Sequence, residues 1–168
     1  MTREQLDARI TDVFSGLSRP DDTHLLQYQS NELWVTSFLG GNESQWSDID
    51  ETSIAYENAA LTCLTPACYA YYLAAYLRWC VRHHDTSDSV TFENTLYHLN
   101  SCGYGGDTQR EVEANYRALT TAQSETVLHF LTFMARETEC PLDREAAQQA
   151  IACYWYRFGG DGVGAPPR

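Results

Sequence analysis

Apolar residues recur along this chain at the three-and-four spacing of helices, and each run is preceded by a residue type that starts helices. Leu6, Ile10, Val13, Phe14 and Leu17 share one helical face. Thr2 and Gln5 precede them at capping-box spacing, in which each side chain takes a backbone N–H from the other's end of the first turn. This predicts a first helix of about four turns, stopped before Pro20. Between Leu25 and Leu39 the pattern is less regular, with Leu33, Trp34 and Phe38 marking a shorter helix that Gly40 and Gly41 end. The stretch from Gly41 to Asn58 is rich in Asn, Ser, Asp and Glu and reads as a loop with one helical turn, punctuated by Trp46, Ile49 and Ile54.

Thr65 followed by Pro66 is a strong start, because Thr can cap free N–H groups and Pro at the first helical position gives up only an N–H without a helical partner. The segment 66–83 that follows is apolar nearly all round, through Tyr69, Tyr72, Leu73, Tyr76, Leu77 and Cys80, which predicts the central helix of the fold. Ser89 then opens a helix through Phe92, Leu96 and Leu99, closed by Gly103. Thr108 with Glu111, and Thr120 with Gln123, are two further capping boxes, the first before Val112, Tyr116 and Leu119, the second before Val127, Phe130, Leu131 and Met134. Asp143 caps a last helix with the stripe Ala147, Ala150, Ile151, Tyr154 and Phe158, ended by Gly159 and Gly160. No alternating strand pattern and no fixed repeat occurs, so the expected fold is all-α: six or seven helices around the Tyr-rich helix 66–83, one domain over 1–158, and a flexible tail over 159–168.

Three stretches stand out together: GGNESQWSDID (40–50), LTPACYAYYLAAYL (64–77) and LTTAQSETVLHFLTFM (119–134), the last followed by an Ala-rich helix ending in Tyr154 and Trp155. In order and spacing they resemble a family of small bacterial proteins catalogued as a domain of unknown function, marked by a Gly-to-Trp loop, a "Leu-Thr-Pro" aromatic helix and a "Leu-Thr-x-x-Gln" helix start. The resemblance covers roughly 38–156. It implies a helical fold and a bacterial origin, and transfers no catalytic residue. Ala74 is a departure, standing where the family would place a proline and with it a kink.

Composition narrows the function classes. The chain has 168 residues and a formal charge of −12, and all 11 of its basic residues are arginine. Nucleic-acid binding rests on cations that neutralise phosphates, so nucleic acid is not an expected partner. Arg3, Glu4, Asp7 and Arg9 occupy the place where a secretory signal needs an apolar run, and the apolar stretch from Ala67 to Leu77 is too short for a bilayer. A cytoplasmic location, no membrane association and six reduced cysteines are therefore expected.

Candidate chemistry is thin. Cys63 and Cys68 lack a second pair at zinc-site spacing. His83, His84 and Asp85 end the central helix, but adjacent histidines on a helix diverge by about 100°, and a helix C-terminus favours His electrostatically without any metal. His98 with Cys102, and Glu125 with His129, are single pairs, short of the three or four ligands a metal needs. Gly103, Gly105 and Gly106 precede a helix but come with Asp107 and without the Lys of a phosphate loop. No metal, cofactor or catalytic residue is assigned. A small helical enzyme or ligand-binding protein using the Tyr-rich helix with a His or Cys stands as the alternative.

Charge distribution is more informative. From Arg19 to Arg78 no basic residue intervenes, while Asp21, Asp22, Glu32, Glu43, Asp48, Asp50, Glu51 and Glu57 are all acidic. Such a segment is either a solvated face or a docking surface for a basic protein, with Trp46 as an aromatic anchor. The leading expectation is an acidic protein-binding module of the immunity type, covering a basic toxin domain with Glu43, Trp46, Asp48, Asp50, Glu51 and Glu57. The sequence assigns no oligomeric state.

Overall fold

A computed structural model describes residues 1–21, 25–26 and 43–159. The helix expected between Leu25 and Leu39 lies almost wholly outside the described residues, as does the tail beyond Gly159. Among the described residues there are seven α-helices: α1 (Arg3–Val13), α2 (Glu51–Tyr56), α3 (Pro66–His83), α4 (Thr91–Leu99), α5 (Gly106–Arg117), α6 (Thr121–Glu137) and α7 (Pro141–Cys153). No strand occurs among them; Leu26 and Leu64 make one isolated antiparallel bridge, beside which Thr65 N donates to Leu25 O at 2.9 Å. The described residues thus form the single all-α domain that the pattern predicts.

At the centre is α3, which has twelve buried residues and packs against α1, α4, α5 and the turn ahead of α2. Burying a large apolar side chain contributes about 1.5–3 kcal/mol, so this one helix supplies a large share of the driving force for folding. It runs unbroken through Ala74. A second layer is the α6–α7 hairpin, against which Trp155 and Tyr154 fold back. No helix among the described residues is long and apolar enough to cross a membrane.

Local signals place the helix starts well where they act alone. Both ends of the capping boxes at Thr2 with Gln5 and at Thr120 with Gln123 are made. Pro66 begins α3 with Thr65 at its N-cap, although the Thr65 hydroxyl donates to Cys68 Sγ at 3.3 Å and caps no backbone N–H. Three expected starts are corrected. Gly106, with φ of +58°, turns the chain into α5 two residues ahead of Thr108, a backbone conformation that favours glycine. Pro141 begins α7 with Cys140 at the N-cap, so Asp143 sits inside the first turn. At α4 the N-cap is Val90, while the Ser89 hydroxyl donates to Ala55 O at 2.9 Å and ties that helix to α2.

The last helix also ends early. Its pattern predicts helix to Phe158, but α7 stops at Cys153 and residues Trp155–Phe158 form a 3-10 turn. Trp155 supplies the reason: fully buried, it donates from Nε1 to Leu99 O at 2.9 Å and packs 4.7 Å from Tyr116, contacts a continued α7 would forgo. The same fold-back brings Cys153 to Cys102, and the two form a disulfide with a Cα–Cα distance of 6.0 Å. The expectation of six reduced thiols is corrected for this pair; Cys63, Cys68, Cys80 and Cys140 are in no disulfide.

Candidate functional site

Of the acidic segment, Asp22 and Glu32 lie outside the described residues, and residues 43–57 form a short ledge on the flank of α3. A 3-10 turn, Trp46–Asp48, leads into α2, where Asp50 is the N-cap and its Oδ2 accepts from Ser53 N at 3.0 Å. Such a cap contributes about 1 kcal/mol, and an acidic one also complements the helix dipole. Ile54 and Trp46 turn inward and fix the ledge to the core.

Trp46 is therefore not the surface anchor the sequence suggests. It is only 3% exposed, donates from Nε1 to Phe14 O at 2.9 Å, and lies under Arg78, whose guanidinium carbon is 5.7 Å from the ring centre. A tryptophan amid acidic residues can face either way, and the accepting carbonyl 32 residues away decides it. The aromatic that does project is Tyr56, 79% exposed at the end of α2. Helical geometry carries its signal: two residues past the buried Ile54, it falls about 200° round the helix.

The remaining candidates separate by what they touch. Glu43 pairs with Arg19 at 3.6 Å, and its carbonyl accepts from Tyr71 Oη. Glu51 receives Arg82 at 3.1 Å and His83 at 2.9 Å, and Arg82 in turn pairs with Asp7 at 3.0 Å. Burial opposes ionisation of Glu51, but the His83 and Arg82 hydrogen bonds outweigh it and hold the carboxyl below its ordinary value. Glu57 is half-buried, with its carbonyl accepting from the Tyr76 hydroxyl. Asp48 and Asp50 are exposed and have no ion pair among the described residues. The ledge thus presents two uncompensated carboxylates and one exposed tyrosine, and its other acids are partly engaged within the molecule.

The other candidate groups resolve into structure. His83 bonds Glu51, His84 Nδ1 meets Cys80 O at 3.1 Å, and Asp85 pairs with Arg3 at 2.6 Å, so the three side chains serve three different partners. Cys102 is in the disulfide and Glu125 pairs with Arg9 at 3.4 Å. Burial, with Arg9 next, lowers the pKa of His129. Burial pushes the Cys80 thiol up to about 12, which makes it a poor nucleophile near neutrality. Tyr69, Tyr71, Tyr72 and Tyr76 are all core residues. No group of three or more metal-ligating side chains gathers among the described residues.

A family model described as a family of unknown function (DUF6714) matches residues 2–158. Neither a curated protein nor a solved structure matches the chain.

Proposed function

The chain belongs to that family of unknown function, and from this starting point we propose that it is an acidic protein-binding module whose ledge, 48–56, docks on a basic protein. In its most specific form the proposal is an immunity-type protein that covers a toxin domain. The observation that carries it is the pairing of uncompensated Asp48 and Asp50 with the exposed ring of Tyr56 on a short element pinned by Trp46 and Ile54. Uncompensated carboxylates speed encounter with a cationic surface, and an exposed aromatic supplies the contact area that slows release. A pre-ordered ledge spares the entropy of organising a loop on binding.

Membrane and nucleic-acid partners stay outside this proposal, and so does a cytoplasmic setting. The Cys102–Cys153 bridge weighs toward an oxidising one, where disulfides persist. The alternative of a ligand site on the Tyr-rich helix draws no support from side chains that form the core.

The test begins with capture of a partner from the native host and continues with stopped-flow association over a salt series. Asp48→Arg with Asp50→Asn reverses one charge and removes the other, while Asn retains a helix cap. This variant should associate about tenfold more slowly at low salt and lose most of the salt dependence. Tyr56→Ala should instead raise the dissociation rate about tenfold. Kinetics unchanged in both variants would place the interface elsewhere.

A further inference from the structure

Away from the ledge, a cleft of about 460 Å³ opens between the end of α3, the start of α4 and the α6–α7 junction. Its size is within the range of small-molecule sites. Five carboxylates line it, from Asp85, Glu93, Glu137, Glu139 and Asp143, against a single arginine, Arg3. Two of the five are compensated, Asp85 by Arg3 at 2.6 Å and Glu137 by Arg136 at 2.7 Å. The other three have no cation within ion-pair distance among the described residues.

Asp143 and Glu93 distinguish this cleft from an ordinary acidic surface. Asp143 is only 6% exposed, lines the cleft, and its carboxylate makes neither a hydrogen bond nor an ion pair among the described residues. Its place in the first turn of α7 favours a negative charge there but leaves the oxygens without donors. Glu93 Oε2 is fully enclosed and likewise has no hydrogen-bond partner. An enclosed carboxylate oxygen without a donor, as at Glu93, is costly, and in folded proteins such groups are regularly met by a partner that supplies both charge and N–H groups. Phe92, which also lines the cleft, adds an apolar edge to its wall.

We propose that this cleft binds a linear aliphatic polyamine, with separate ammonium groups on Asp143 and on Glu93 or Glu139 and the methylene chain along Phe92. A compact metal ion is the poorer fit, because no three ligating side chains gather at one point among the described residues. A chain of ammonium groups joined by methylenes suits carboxylates that are spread around a cleft with an apolar wall, as it buries its stem and pairs its charges. The inference is independent of the docking ledge.

Spermidine titrated into the full chain by calorimetry, at about 0.15 M salt so that diffuse attraction is screened, tests it. One saturable site is expected, weakened at least about tenfold in Asp143→Asn with Glu93→Gln, since a lost charge-assisted bond costs about that factor. Asp12→Asn with Asp107→Asn removes the same charge elsewhere and should change affinity less than about twofold. Spermidine should also raise the melting temperature of the wild-type chain and not of the cleft variant. Should the cleft variant fail to fold, Glu139→Gln, at an exposed position, should still weaken binding several-fold. Absence of saturation up to about 10 mM spermidine, equal weakening in the cleft and control variants, or displacement by Mg²⁺ at equal charge would each overturn the proposal.

Discussion

Acidification should destabilise this protein through His98 before it does so through any carboxylate. His98 is buried, packs 5.5 Å from the Tyr69 ring and 6.2 Å from the Tyr116 ring, and has no hydrogen-bond partner at either ring nitrogen. Burial alone pushes its pKa from 6.5 down to about 3. The unfolded chain therefore takes up a proton near pH 6.5 that the folded chain refuses until about pH 3, and stability falls throughout that window as pH drops. Linkage for one proton gives about 1.4 kcal/mol per pH unit, so the loss is about 1 kcal/mol at pH 5.5 and about 3 kcal/mol at pH 4.5. Glu51 and Asp85, whose carboxyls are held below their usual values by His83, Arg82 and Arg3, add losses in the same direction. Theirs begin only as pH falls through the ordinary carboxylate range. Urea unfolding of wild type and His98→Phe at pH 7, 5.5 and 4.5 isolates the term. The larger ring adds a pH-independent offset of about 1–3 kcal/mol, and the readout is the slope. Wild type should lose stability more steeply than the variant below pH 6.5. Parallel curves would show that His98 accepts its proton in the folded state and would refute the reasoning.

Cys102→Ser should lower stability by about 2–4 kcal/mol in urea unfolding, because the disulfide closes a long loop in the unfolded chain, and reductant should bring wild type to the same midpoint. A wild-type midpoint indifferent to reductant would deny the bond. Trp46→Phe strips the donor from a buried carbonyl at Phe14 and should cost about 1–3 kcal/mol, seen as a lower urea midpoint with the denaturant slope unchanged. If the ledge survives, the same variant should leave the salt dependence of partner association as it is in wild type.

The elements legible in the sequence are those whose cause is local. Thr2 with Gln5, Thr120 with Gln123, and Thr65 before Pro66 each start a helix with groups within one turn, and the all-round apolar character of 66–83 announces a central helix. Distant contacts decide the rest. Trp155 leaves the helical path for a carbonyl 56 residues back, Trp46 turns inward for one 32 residues back, and Cys102 meets Cys153 across 51 residues. None of these leaves a mark on the residues beside it. The acidic ledge divides in the same way: its charge is plain in composition, whereas the neutralisation of Glu51 but not of Asp48 depends on where Arg82 and His83 of α3 come to lie. Likewise, the cleft between α3, α4 and the α6–α7 junction joins acids dispersed from Asp85 to Asp143, a grouping no sequence window contains.

The Cys102–Cys153 bond makes the part of the chain holding α5, α6 and α7 a covalent ring. A protease that nicks the exposed turn at Ala118, between α5 and α6, would open that ring without releasing a fragment. The clipped molecule would run as a single species on a non-reducing gel and separate into two only after the bridge is broken, so digestion patterns of this protein have to be read under both conditions.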